Sequence, residues 1–260
     1  MTRRIALDGV DNFRDFGDYA VAGGRRLKRR QLFRSASHGR ASDADLAIID
    51  SLGIATVVDL RRKGERDRDP SRRPAAFAGM VIDNDLGDDQ EDEWLAHLRT
   101  SDLTEAAFRD YLIGYYDKAP SDPRHIDLFS RFFRALAESD GAVLIHCAAG
   151  KDRTGILAAL THHLAGVHPD DIVEDYLLTN DEERLERRAP QVVELIHGVA
   201  GRAPTLSAVR VAMSVEPALL ETAFAAMTRD FGGVDAYLEH RLGVDAALRA
   251  AVRERLLEDA

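Results

Sequence analysis

The segment Ala142–His146, Ala-Val-Leu-Ile-His, constrains the fold more than any other part of this 260-residue chain. It is a continuous apolar run without polar alternation, as a strand covered on both faces requires. Cys147-Ala-Ala-Gly-Lys-Asp-Arg153-Thr154-Gly155 follows at once, and Thr154 to Ala165 then reads as a short apolar helix stopped by Gly166. A buried strand feeding a loop and a helix is the unit from which parallel sheets are built. Ile54 to Leu60 and Gly79 to Asp83 read as further buried strands. Ser42 and Asp45, ahead of Leu46, Ile48, Ile49 and Leu52, predict a capped helix ending at Gly53. Helices are also predicted over Glu93 to Tyr116 and over Pro123 to Glu138, the latter with Ile126, Phe129, Phe132, Phe133 and Leu136 on one stripe. After His168-Pro169-Asp170-Asp171 the chain reads as almost wholly helical to Ala260. Strands alternating with helices, followed by a helical tail, predict an α/β fold with a mostly parallel central sheet flanked by helices. Neither a repeat nor a linker divides residues 1–260, so one domain is expected, with about 181–260 as a helical region packed on it.

Composition narrows the chemistry. Cys147 is the sole cysteine, which excludes an intramolecular disulfide, a thiolate zinc cluster and a Cys-x-x-Cys redox pair. Thirty-five Lys and Arg against 45 Asp and Glu give a net charge of −10, so nucleic acid and anionic membrane are not expected as partners. No apolar run is long enough for a signal peptide or a membrane span, and a cytoplasmic protein without stable membrane insertion is expected. Charge is patchy: Arg25 to Arg34 and Arg61 to Arg73 are basic, whereas Asp83, Asp85, Asp88, Asp89, Glu91, Asp92 and Glu93 form an acidic run. Such runs are expected as solvated surface.

The loop after Ala142–His146 carries the chemistry. Strand, tight loop and helix N-terminus together form an anion site, because the amides of the first helical turn have no intrahelical acceptor. A cysteine opening the loop and an arginine six positions later can both address one central anion, the arginine through a planar fork matched to phosphate oxygens. A helix N-terminus with an adjacent cation favours the thiolate form of a cysteine. An activated nucleophile beside a phosphate cradle is what attack on a phosphate ester needs. A nucleotide-binding loop is excluded, since Ile145 stands where its first glycine belongs and Asp152 follows Lys151. An inert buried cysteine would explain neither Arg153 nor Gly150 and Gly155, read as permitting close backbone approach to a ligand. His162 and His163 have no metal-ligand spacing with a carboxylate, and neither metal nor cofactor is expected.

His146-Cys147-x5-Arg153-Thr154 resembles the signature loop of the cysteine-dependent tyrosine phosphatase superfamily. The fuller string His-Cys-Ala-Ala-Gly-Lys-Asp-Arg-Thr-Gly is similar to that of a bacterial branch, the secreted mycobacterial-type phosphatases and their Listeria relatives. Asn12-Phe13-Arg14-Asp15-Phe16-Gly17, Leu32-Phe33-Arg34-Ser35, Val58-Asp59-Leu60-Arg61, Asp175-Tyr176-Leu177-Leu178-Thr179-Asn180 and Phe231-Gly232-Gly233 with Tyr237-Leu238 resemble that branch in the same order. The resemblance implies a phosphatase-like fold and removal of phosphate from phosphotyrosine, with dual specificity or phosphoinositide hydrolysis as alternatives. A non-catalytic phosphate-binding module is the competing class.

Carried over by residue, Cys147 forms a phosphocysteine while Arg153 and the amides of Ala148, Ala149, Gly150, Lys151, Asp152 and Arg153 hold the phosphate. His146 orients the loop. Thr154 donates to the sulfur or caps the helix, and Lys151 either adds a second cation or is simply solvated. The general acid stays open between Asp152 in the loop and Asp85 after the Gly79 to Asp83 strand, with Asp83 and Asp59 behind them; no Trp-Pro-Asp triplet decides it. Phe16, Tyr19, Tyr111, Tyr115 and Tyr116 are read as core or as platforms for a phosphotyrosyl ring. The resemblance also implies a lid, expected from Glu91 to Tyr116 or from the helices after Asp181.

Overall fold

The computed structural model describes residues 3–88 and 91–260; Asp89 of the acidic run lies outside them. Its main sheet comprises β1 (Arg14–Asp15), β4 (Leu32–Ser35), β5 (Ile54–Asp59), β6 (Met80–Ile82) and β7 (Ala142–His146), in spatial order β1-β4-β7-β5-β6. β4, β7, β5 and β6 run parallel, and β1 is an antiparallel edge. A smaller sheet joins β2 (Ala20–Val21) and β3 (Arg25–Leu27) to β8 (Leu257–Asp259), so the C-terminal region ends in a strand where helix was expected.

Every residue of β7 is buried, as its unbroken apolar sequence demands. Its side chains alternate between two cores. Val143 and Ile145 join Val58, Phe132, Leu157 and Leu160 beneath α5 (Pro123–Glu138) and α6 (Asp152–Ala165). Ala142 and Leu144 pack with Phe13, Phe33, Ile49 and Val57 beneath α1 (Asp43–Asp50). The predicted capping box starts α1: the Ser42 side chain accepts from Asp45 N–H, and the Asp45 carboxylate accepts from Ser42 N–H.

The predicted helix over Glu93 to Tyr116 is two helices, α3 (Glu93–Thr100) and α4 (Glu105–Lys118). Between them Leu103 takes a left-handed φ of 59°, the Asp102 carboxylate accepts the Thr104 N–H and hydroxyl, and Thr104 caps α4. Leu103 holds that backbone because its side chain is buried in a third apolar cluster. That cluster unites α3 and α4 with α8 (Glu182–Ala200) and α9 (Leu206–Met213), a helical lobe with a core of its own. The remaining helices include α2 (Lys63–Arg68), α7 (Pro169–Leu177), α10 (Pro217–Phe231), α11 (Val234–Ala236) and α12 (Ala246–Leu256).

Candidate active site

Pairing brings three strand ends level, with Ser35 and Asp59 both opposite His146. The segments that follow, from Ala36, Leu60 and Cys147, therefore meet at the carboxyl edge of the sheet, where parallel sheets place their sites. The loop from Cys147 to Lys151 is held from outside by its carbonyls. Ala148 C=O accepts from Ser37 N–H at 3.1 Å, and Gly150 C=O accepts from Asn12 Nδ2 at 2.8 Å and Arg34 Nη2 at 3.1 Å. A trans peptide points its N–H opposite to its C=O, so these anchors turn the following amides inward. Among the described residues no protein acceptor receives an N–H from Ala148 through Thr154. α6 begins behind Lys151 without a side-chain cap, leaving its first amides open to an anion.

Two buried arginines hold this frame. Arg14 and Arg34 both bond Asp175 of α7, at 3.3 and 2.7 Å. Burial works against the Asp175 charge, but the two guanidiniums outweigh it and keep its carboxyl well below the usual range. Gly150 has φ +64° and lies so close to β4 that a Cβ would stand 2.5 Å from the Ser35 backbone. At Gly155 a Cβ would lie 2.8 Å from the Tyr176 ring. Both glycines thus make room for the protein's own scaffold; the sequence had suggested room for a ligand.

Cys147 lies buried at the floor of a cavity of about 800 Å³ whose lining includes Ala148, Ala149, Lys151, Asp152, Arg153, Glu65, Arg124, Tyr111 and Tyr115. Arg153 is gripped end-on by Glu65 of α2, Nη1 to Oε2 at 2.5 Å and Nη2 to Oε1 at 2.8 Å, while Nη1 also donates to Leu60 C=O at 3.1 Å. Among the described residues nothing takes the Nε–H or the second Nη2–H, which lie side by side on one edge of the guanidinium. That edge is a free fork for two phosphate oxygens. Burial opposes the Glu65 charge, yet Arg153 pulls its carboxyl down to about 2. Arg124 adds a buried cation whose acceptors among the described residues are the carbonyls of Leu60 and Arg61, and burial together with Arg153 lowers it to about 10. Behind the loop Arg61 is buried against Asp59 at 2.8 Å, with His146 3.6 Å away on the other side. Asp59 is committed to that ion pair, and burial keeps the His146 ring below its ordinary pKa.

Comparison with known proteins now decides the relationship. A model of the tyrosine phosphatase family matches residues 5–258. The chain belongs to that family. A putative tyrosine-protein phosphatase of Cupriavidus necator is 32% identical over 243 residues, covering 94% of this chain and 85% of that protein. The triple specificity protein phosphatase PtpB of Mycobacterium tuberculosis is 35% identical over 244 residues, covering 78% and 86%. A tyrosine-protein phosphatase of Nostoc commune is 37% identical over 150 residues, covering 56% and 47%.

In this tyrosine phosphatase the candidate residues of the sequence fall into two groups. Cys147, Arg153, Asp152 and Lys151 share the cavity; Asp85 does not line it, and sits exposed, paired with Arg66. Asp83 is exposed as well. Asp152 Oδ1 accepts from the Tyr116 hydroxyl at 3.0 Å and lies 3.2 Å from Lys151 Nζ. Lys151 is not solvated: it is buried, and Nζ donates to Ala212 C=O at 2.8 Å and Ser214 C=O at 3.2 Å at the end of α9. Thr154 lies inside α6, not at its cap, and its buried hydroxyl has no partner among the described residues. Phe16 and Tyr19 are core, packed edge-on against His162, whereas Tyr111 and Tyr115 reach the cavity wall. The outer wall is Trp94 and Leu95 of α3 with Val192, Leu195 and Val199 of α8. Glu65 and Arg124 were not singled out in the sequence; Glu65 is one of three acids within the basic run from Arg61 to Arg73, the one placed to cap α2 through Arg62 N–H.

Proposed function

We propose that this phosphatase hydrolyses phosphotyrosine monoesters in two steps through Cys147. The observation that carries the reading is that unclaimed loop amides and the free edge of Arg153 share one cavity with the buried Cys147. The Cys147 thiolate attacks phosphorus, and the P–O bond to the tyrosyl oxygen breaks. The amides and Arg153 take up the charge spread over the equatorial oxygens. Asp152 gives its proton to the leaving phenolate, then takes one from the water that attacks phosphocysteine. The P–S bond breaks, inorganic phosphate leaves, and Thr154, whose hydroxyl is otherwise unemployed, supports the returning thiolate. Asp152 is preferred to Asp85 because it lines the cavity and Asp85 does not. The reading includes a cytoplasmic protein; no helix among the described residues is long and apolar enough to cross a membrane.

Turnover of p-nitrophenyl phosphate and of a phosphotyrosyl peptide, measured for wild type and Cys147→Ser, tests the proposal. Abolished turnover in the variant with retained peptide binding is expected. A wild type that binds phosphopeptide without releasing phosphate would instead establish a binding module. Dual specificity and phosphoinositide hydrolysis form a second reading, favoured by Arg40, Arg184 and Arg188 sharing the cavity wall with apolar Val192 and Leu195. Comparing turnover of phosphoseryl peptides and phosphoinositides with that of phosphotyrosyl peptides decides it.

A further inference from the structure

Asp152 is approached from beneath by a line of buried hydroxyls that the chemistry above does not use. Tyr116 of α4 and Tyr176 of α7 are both buried, their oxygens 2.6 Å apart, and Tyr116 continues to Asp152 Oδ1 at 3.0 Å. The Tyr176 hydroxyl has no other hydrogen-bond partner among the described residues. Each phenol carries one proton, and Oδ1 only accepts whether Asp152 is ionised or carries its proton on Oδ2, so the order is set. Tyr176 donates to Tyr116, and Tyr116 donates to Asp152. Burial holds both phenols protonated, with the Asp152 charge acting in the same direction. Lys151 Nζ approaches the same Oδ1 at 3.2 Å, pinned by the carbonyls of Ala212 and Ser214. Oδ1 thereby faces two donors, while Oδ2 has no partner among the described residues, on a side chain that lines the cavity.

Resting on the assignment of Asp152 as the acid, we propose that Tyr116 and Tyr176 are positioning residues, a hydroxyl relay that occupies Oδ1 and confines the transferable proton to Oδ2. Two phenylalanines would fill the same core without an orphaned oxygen, so packing alone gives no reason for a hydroxyl chain ending on a cavity residue. Gly155 belongs to the device, because only a residue without Cβ lets the Tyr176 ring lie against α6.

The test compares phenyl phosphate, whose leaving group needs a proton, with 2,4-dinitrophenyl phosphate, whose leaving group does not. Steady-state constants are measured for wild type, Tyr116→Phe, Tyr176→Phe, Asp152→Asn and the double variant Tyr116→Phe/Asp152→Asn. A hydrogen bond to a charged group is worth ~1.5–3 kcal/mol, so Tyr116→Phe is expected to lower kcat/KM on phenyl phosphate, which reports the first step alone, by roughly ten- to a hundredfold. On the dinitrophenyl ester the loss in kcat/KM stays below about threefold, and Tyr176→Phe repeats the pattern more weakly. In the Asp152→Asn background Tyr116→Phe has no further effect. Equal losses on both esters, losses that persist in that background, or no loss at all overturn the relay. Asp152→Asn without leaving-group selectivity overturns the acid assignment itself, and the relay with it. Should Tyr116→Phe fail to fold, Tyr176→Phe carries the same comparison.

Discussion

Replacing Glu65 by Gln keeps the shape of the group that grips Arg153 and removes its charge. In the folded protein Arg153 holds the Glu65 carboxyl at about 2, against 4.5 for a free glutamate. At 1.36 kcal/mol for each pH unit that difference amounts to about 3 kcal/mol of stability at neutral pH. Breaking a buried ion pair by removing one partner costs ~3–5 kcal/mol, an independent figure of the same size. The folded value lies below the unfolded one, so the contribution is complete above pH 4.5 and is lost as pH falls through 2. Urea unfolding of wild type and Glu65→Gln at pH 7, 4 and 2.5 should therefore give a gap of about 3 kcal/mol at pH 7, narrowing at pH 4 and small at pH 2.5. Taking the difference between the two proteins cancels the other carboxylates, Asp59 and Asp175 among them. The loosened guanidinium no longer presents its free edge at a fixed angle, and kcat/KM on p-nitrophenyl phosphate should fall by roughly a hundredfold. A stability gap that is the same at all three pH values would refute the electrostatic origin. Unchanged kcat/KM would refute the orienting role.

Two further outcomes follow from burial. Gly155→Ala should gain ~1 kcal/mol of helix propensity but lose more to the 2.8 Å contact with Tyr176, lowering Tm by about 2–6 °C in a thermal melt; a raised Tm would show that Tyr176 yields freely. His38, His125, His146 and His162 are all pushed below 6.5 by burial, His125 to about 4. The unfolded chain then binds more protons than the folded one below pH 6.5, and each histidine should remove ~1.4 kcal/mol of stability per pH unit on acidification towards its folded value. Urea midpoints that stay flat between pH 7 and 5 would contradict this.

What could be read from the sequence was what is local. β7, the helix behind Cys147 and the Ser42 capping box depend on residues within one or two turns of one another, and the chain stated them directly. β4 escaped as a strand because Arg34 interrupts its apolar character; only Asp175, 141 positions away, makes that arginine a buried residue. The break at Leu103 escaped because apolar spacing continues across it, although Thr104 ahead of Glu105 is a helix start in its own right. At the site, Cys147, Asp152 and Arg153 were visible as one string. Glu65 was not, since nothing in a stretch of alternating charges tells which acid will meet a residue 88 positions later. Lys151 was visible, but its burial against the end of α9 depends wholly on tertiary packing.

The anchors of the loop from Cys147 to Lys151 have a consequence for how the protein comes into being. Asn12 reaches the Gly150 carbonyl across 138 positions and Arg34 reaches it across 116. Contacts so distant along the chain repay the entropy of loop closure only after nearly everything between them is in place. During synthesis, Asn12 and Arg34 emerge long before the carbonyl they hold, and Asp175, which fixes both arginines, emerges later still. Cys147 thus stays without the anchored loop around it until the chain has passed α7. Hydrolytic competence is in this sense a report on folding, issued only when the first strands and the segment from Gly150 to Asp175 have found each other.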